Sequence, residues 1–250
     1  MVKSQEDFWQ RTSPNFEISS ESLDVWRIPL TNDLPARDYS QLLSPDEIDR
    51  ANRFHFEVHR SHYMNCRASL RSILGRYLHR APADVRFSYE VNGKPELVDE
   101  QNEQRLRFNV SHSSDLALLA VTGTRAIGVD LELVRDQPDC LELAKRYFSQ
   151  REYQDLLTLN GEARQRAFFA CWTRKEAFVK ACGAGLSYPL SDFSVSVLPG
   201  SPAMIEETKP GSHAALNWFL VGLEPGAGYV GAVVIEGQSC VVRRWDWKQN

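Results

Sequence analysis

Two acidic residues interrupt the apolar stretch "IGVDLELV", at Asp130 and Glu132. Residues i and i+2 of a strand point to one face. The two carboxylates therefore share a side, about 7 Å apart along the strand. Val129, Leu131 and Leu133 share the opposite side and supply core. Carboxylates this close repel, and a divalent cation would relieve the repulsion. Taken alone, such a pair is more simply a solvated strand face. A second segment shifts that balance. In "FFACWTRKEAFVKACGAGL", helical spacing puts Trp172, Glu176 and Lys180 on one stripe, and Phe168, Cys171, Lys175, Val179 and Cys182 on the next. A surface ion pair would explain the charges. It would not explain why they sit within an aromatic, apolar helix. Glu176 would complete an oxygen-rich magnesium site, and Lys180 would hold phosphate oxygens.

Three further groups bear on the same chemistry. His112 lies between Ser111 and Ser113 at a strand end. Neighbouring strand residues point opposite ways, so this is no hydrolase dyad, and the chain has no G-x-S-x-G elbow. A phosphate or ribose contact suits His112 better, against the plainer reading of a structural histidine. Asn92-Gly93-Lys94-Pro95 is a turn whose glycine permits close approach of a ligand and whose lysine adds charge. Arg53, Arg60, Arg67 and Arg71 recur on one helical face, either as a solvated stripe or as a wall for anions.

The elements that must position these groups fall into two series. Ser44-Pro45-Asp46-Glu47 starts a helix with a capping box. Helical pattern runs to about Arg80, with a break expected near His55, and Ala81-Pro82 ends it. "VRFSYEVNGKPEL" reads as a hairpin, and strands follow near 105–112, 115–122 and 126–134. The order then repeats. Ser149 with Glu152 caps a helix to about Leu159, and a longer helix covers 162–182 and stops at Gly183 and Gly185. Strands are expected near 192–198, 215–222, 229–236 and 240–246, with a Pro/Gly/Ser-rich loop over 199–214. The fold class is α+β: two similar halves forming a pseudo-dimer, 1–125 and 126–250, each a long helix on a mainly antiparallel sheet.

Composition narrows the functional classes. At 250 residues and 42 % hydrophobic, the chain can bury a substantial core. The net charge of −4 argues against a general nucleic-acid binder. No apolar run is long enough to span a bilayer and the N-terminus has no signal-peptide core, so a cytoplasmic protein is expected. Five scattered cysteines without a C-x-x-C pair argue for reduced thiols, not for disulfides or zinc.

Four blocks together carry a resemblance: "NGKP" (92–95), "FNVSHS" (108–113), "IGVDLE" (127–132) and "WTRKEAFVKACGAGL" (172–186). In order and spacing the chain resembles the Sfp-type 4′-phosphopantetheinyl transferases over about residues 40–198. The resemblance implies transfer of the phosphopantetheine arm of coenzyme A to a serine of an acidic acyl or peptidyl carrier protein, with release of 3′,5′-ADP. Such proteins serve fatty-acid, polyketide or non-ribosomal peptide synthesis. It implies magnesium on Asp130, Glu132 and Glu176, with Glu176 also taking the serine proton and Lys180 and His112 contacting the phosphates. Asn92 to Pro95, Asn109 and Ser111 would cradle the nucleotide, with Lys175 beside it; Arg60 and Arg67 would hold the 3′-phosphate. A monomer with its active site between the halves is expected. Arg135, Lys145, Arg146 and Phe148 would dock the carrier, basic with an apolar anchor. The rival readings are a magnesium-dependent phosphodiesterase or nuclease and a non-catalytic coenzyme A-binding module.

Overall fold

The computed structural model describes residues 9–10, 16–31, 39–89, 93–183, 185, 188–208 and 217–248. Its first half holds β1 (Ser22–Pro29), α1 (Pro45–Ala51), α2 (Glu57–Leu78), β2 (Phe87–Tyr89), β3 (Pro95–Leu97), β4 (Arg107–Ser113) and β5 (Leu116–Thr122). Its second half holds β6 (Ile127–Leu133), α3 (Cys140–Tyr147), α4 (Gln150–Leu157), α5 (Gly161–Cys182), β7 (Phe193–Val195), β8 (Ile205–Thr208), β9 (Trp218–Leu223), β10 (Tyr229–Glu236) and β11 (Val241–Asp246).

Two sheets stack between two long helices. One has strand order β11-β1-β5-β4 and the other β6-β10-β9. On its outer face the first sheet buries Ala117, Leu119 and Val121 against Leu70, Ile73, Leu74 and Tyr77 of α2. The second buries Val230, Ala232 and Val234 against Phe168, Ala177 and Phe178 of α5. Leu116, Leu118 and Ala120 meet Val129, Leu131, Val233 and Ile235 between the sheets. β5 is thus buried along all seven residues, which is why it reads as an unbroken apolar run. The α+β class with a long helix on each sheet holds, and so does the break before α2.

Several elements depart from expectation. β1 was not anticipated: it is buried on both faces, so no alternation marks it. α3 lies between the strand expected near 126–134 and the helix capped by Ser149, where no element is expected, and β8 lies within the expected loop 199–214. The C-terminal strand does not stay with the second half. β11 pairs with β1, and in parallel. The fully buried Asp24 of β1 explains the return, accepting from Trp245 Nε1 at 2.9 Å and Arg243 Nε at 2.6 Å as well as from the Tyr77 hydroxyl of α2. Leaving that carboxylate unpaired in the core would be costly.

Candidate active site

β6 divides its side chains as its alternation requires. Ile127, Val129 and Leu131 enter the core between the sheets. Gly128, Asp130 and Glu132 face the other way, and α5 packs directly there. A Cβ on Gly128 would stand 2.9 Å from the Lys180 carbonyl carbon and closer still to Ala177 O and Ala181 N. The missing side chain therefore lets the last turns of α5 settle onto the strand. At that distance Lys180 Nζ reaches Asp130 Oδ1 at 2.7 Å, and also Ser111 Oγ and Val129 O, each at 3.2 Å.

The free edge of β6 is closed by side chains of β4. Asn109 Oδ1 accepts from Val129 N–H at 2.8 Å, and Ser113 Oγ accepts from Leu133 N–H at 3.1 Å. Ser111 Oγ donates to Asp130 Oδ1 at 2.9 Å, and Ser113 Oγ donates to Glu132 Oε2 at 2.9 Å. Positions 109, 111 and 113 share one face of β4. They satisfy a strand edge that would otherwise be buried unpaired, and in doing so they aim both acids. Asn109 Oδ1 and Ser111 Oγ are thus engaged within the protein. Ser113 belongs to the "FNVSHS" block but not to the expected site residues; its i+4 spacing from Asn109 is the available signal.

Electrostatics at the acids are unsettled. Asp130 is 6 % exposed, and its Oδ2 is buried without a hydrogen-bond partner. Burial raises the Glu176 carboxyl above the usual carboxylate range, and Asp130 and Glu132 push the same way against Lys180. Burial also raises Glu132, opposed by the Ser113 hydrogen bond and reinforced by Asp130. These are hard oxygen donors with an unmet need for positive charge, which fits a divalent cation. Among the described residues no closed set of three such ligands is preassembled; Lys180 holds one oxygen of Asp130. His112 is exposed on the opposite face of β4 from the serines. Partial desolvation lowers its imidazole pKa, and the nearby Lys180 and His62 add to the effect.

Above these groups opens a cleft of about 880 Å³. The first half supplies Gly93, Lys94, Pro95, Asn109 and Val110; the second supplies Trp172, Glu176, Lys180, Tyr188 and Leu190. Lys94 Nζ donates to the Lys180 carbonyl at 3.2 Å, docking the β2–β3 hairpin on the last turn of α5. That turn ends at Gly183, whose φ of +68° closes the helix.

Comparison with known proteins gives this cleft its family. A model of the 4′-phosphopantetheinyl transferase superfamily matches residues 126–234, and a model of the N-terminal part of 4′-phosphopantetheinyl transferases matches residues 32–124. The chain is 42 % identical over 240 residues to the 4′-phosphopantetheinyl transferase HetI of Nostoc sp., covering 96 % of this chain and 98 % of that one. The chain belongs to the 4′-phosphopantetheinyl transferase superfamily. It is also 32 % identical to the 4′-phosphopantetheinyl transferase Sfp of Bacillus subtilis over 75 % of this chain and 80 % of that one. The Thermotoga maritima holo-[acyl-carrier-protein] synthase aligns over 45 % of this chain and 63 % of its own, at 23 % identity and a TM-score of 0.34. Membership displaces the phosphodiesterase and binding-module readings.

In this transferase several expected ligand contacts lie elsewhere. Lys175 is fully buried and committed to Glu152, so it does not line the cleft. Arg67 is also buried, with its Nε on Glu47 Oε1 at 2.5 Å, another donor on the Tyr89 hydroxyl at 3.0 Å, and its guanidinium over the Phe87 ring. Glu47 is itself buried and takes Arg71 as well, so a core carboxylate accounts for half of the arginine stripe. Arg60 is half-buried beside Glu57 at 3.6 Å and, like Arg67, does not line the cleft. Phe148 is no exposed anchor: it is 4 % exposed and stacks on Phe168. Arg135, Lys145 and Arg146 are exposed. Asn92 lies outside the described residues.

Proposed function

We propose that this transferase moves the 4′-phosphopantetheine arm of coenzyme A onto a serine hydroxyl of an apo acyl or peptidyl carrier protein, with magnesium as cofactor. The observation that carries this reading is that Glu176 and Lys180 line a cleft built by both halves, with Asp130 held 2.7 Å from the Lys180 ammonium. Asp130, Glu132 and Glu176 would hold the ion, which supplies positive charge to the pyrophosphate when bound. The serine oxygen attacks the phosphorus bearing the pantetheine arm. A new phosphoester forms, the pyrophosphate P–O bond breaks, and 3′,5′-ADP departs.

Each residue has a limited task. Glu176, with its raised carboxyl, accepts the serine proton directly or through a water molecule; a base nearer neutrality is the better match to that step. Lys180 is fixed by Asp130, Ser111 and the Val129 carbonyl, and so offers a prepositioned cation to the departing phosphate. Lys94 and the turn it sits on approach from the first half, and His112 adds a further phosphate contact. Phosphoryl transfer needs alignment and charge compensation more than covalent chemistry, and this arrangement supplies both. The apolar lining from Trp172, Tyr188 and Leu190 suits the neutral pantetheine arm.

Carrier docking falls to the exposed face of α3, where Lys145 and Arg146 directly precede Tyr147, a residue of the cleft wall. A basic face beside the cleft suits an acidic partner. One chain supplies both sides of the cleft, so a monomer suffices. Among the described residues no helix is long and apolar enough to cross a membrane, and all five cysteines are free; both facts suit the cytoplasm, where coenzyme A is at hand. Incubation with coenzyme A, magnesium and several apo-carriers, read by intact mass, tests the reading. A phosphopantetheine mass increment on a carrier supports it. No increment on any acyl or peptidyl carrier overturns it.

A further inference from the structure

Two neighbouring charges on α5 meet opposite fates. Glu176 lines the cleft, while Lys175, about 100° round the helix, is fully buried. Its ammonium lies 2.8 Å from Glu152 and donates to the carbonyls of Leu190 at 2.7 Å and Phe193 at 2.6 Å. All three of its donors are therefore used. The Phe193 ring centroid is 4.1 Å away. Core stability alone does not call for a lysine here, because well-packed apolar residues in place of a buried ion pair are often as stable. An apolar side chain cannot, however, hold two backbone carbonyls.

Those carbonyls have a particular place. Tyr188, Pro189 and Leu190 form part of the wall of the cleft that contains Glu176 and Lys180. Phe193 opens β7 just behind them. Glu152 is anchored independently of the lysine, accepting from the N–H groups of Ser149 and Val195 at 2.7 Å each. The lysine is thus the link between a fixed core carboxylate and the backbone of the cleft wall.

We propose that Lys175 is a positioning residue. Acting through the carbonyls of Leu190 and Phe193, it fixes the 188–190 wall and so sets the affinity for the substrate held between that wall and Glu176, without touching it. The inference rests on the transferase reading, with coenzyme A as the ligand assayed. Wild-type transfer is measured first, since its absence counts against that reading and not against the wall.

The test compares Lys175→Met, Lys175→Gln and Glu152→Gln in kcat and KM for coenzyme A at saturating apo-carrier, alongside amide hydrogen exchange. Lys175→Met is expected to raise KM about tenfold or more while kcat stays within about threefold. Exchange should quicken over 188–193 and stay unchanged in β6 and β10. Lys175→Gln, which keeps an amide donor, should shift both in the same direction by less. Glu152→Gln keeps the lysine–carbonyl bonds, so it should lower the melting temperature and leave KM within about twofold. An unchanged KM or unchanged exchange over 188–193 in Lys175→Met overturns the proposal. So does an equal KM rise in Glu152→Gln, which would make the lysine only half of a core ion pair. Failure of both lysine variants to fold while Glu152→Gln folds would overturn it as well.

Discussion

Gly128→Ala tests how the active site is set at its root. The added methyl would stand 2.9 Å from the Lys180 carbonyl carbon and nearer to Ala177 O and Ala181 N. Carbon–carbon contacts settle at about 3.5–4.0 Å, so the Lys180 contact alone demands about 0.6 Å of separation and the other two demand more. All three neighbours are helix backbone, which cannot swing aside as a side chain would. α5 must move off β6 by about 1 Å. The Lys180–Asp130 bond of 2.7 Å then stretches beyond the hydrogen-bonding range of about 3.2 Å, and Glu176 retreats with the same helix. Overpacking of this kind costs about 1–3 kcal/mol, or about 2–4 °C of melting temperature for each kcal/mol in a chain of this size. Misplacement by about 1 Å costs about 100-fold in rate. The assay is kcat for phosphopantetheine transfer at saturating coenzyme A and carrier, with a thermal melt alongside. A variant that melts within a few degrees of wild type but has lost most of its turnover agrees with the geometry. Wild-type kcat and melting temperature together would refute the claim that Gly128 sets the seat of α5.

Other consequences follow from the charges. Glu176 must be ionised to accept a proton, so kcat/KM should fall as pH drops through its raised pKa; Lys180 lowers that pKa, so Lys180→Met should move the acid limb of the profile to higher pH. Because Glu132 and Glu176 are raised, the folded chain binds protons more tightly than the unfolded one, and stability from these groups falls as pH rises through that window. Magnesium should therefore raise the melting temperature more at pH 8 than at pH 5, where protons compete for the same oxygens, a difference that scanning calorimetry would read directly. Glu47→Ala strands Arg67 and Arg71 in the core and should cost about 3–5 kcal/mol in urea unfolding.

The parts legible in the sequence are those governed by local period. Asp130 and Glu132 face away from Val129 and Leu131 because a strand alternates, and Trp172, Glu176 and Lys180 share a cleft because a helix turns every 3.6 residues. Charges whose partners lie far along the chain were not legible. Lys175 and Arg67 sit in motifs or stripes that suit phosphate, yet Glu152 and Glu47 neutralise them in the interior. Nothing in residue type separates a lysine aimed at a ligand from one aimed at a core carboxylate more than 20 residues away. The same limit hid the pairing of β11, although a strand is expected near 240–246. Its parallel partner β1 is at the far end of the chain, and what draws them together is Asp24, whose buried carboxylate collects donors from β11 and α2. Gly128 lay between; its place in "IGVDLE" was plain, but the helix backbone it admits was not.

The central claim is that Glu176 takes the serine proton at the floor of this cleft. Its most direct test is intact mass of an apo-carrier incubated with coenzyme A and magnesium, using wild type and Glu176→Gln side by side at equal folded concentration. The wild type should add one phosphopantetheine, and the variant should be slower by about 100- to 10,000-fold, the span that general-base catalysis supplies. Equal rates for the two proteins would contradict the account.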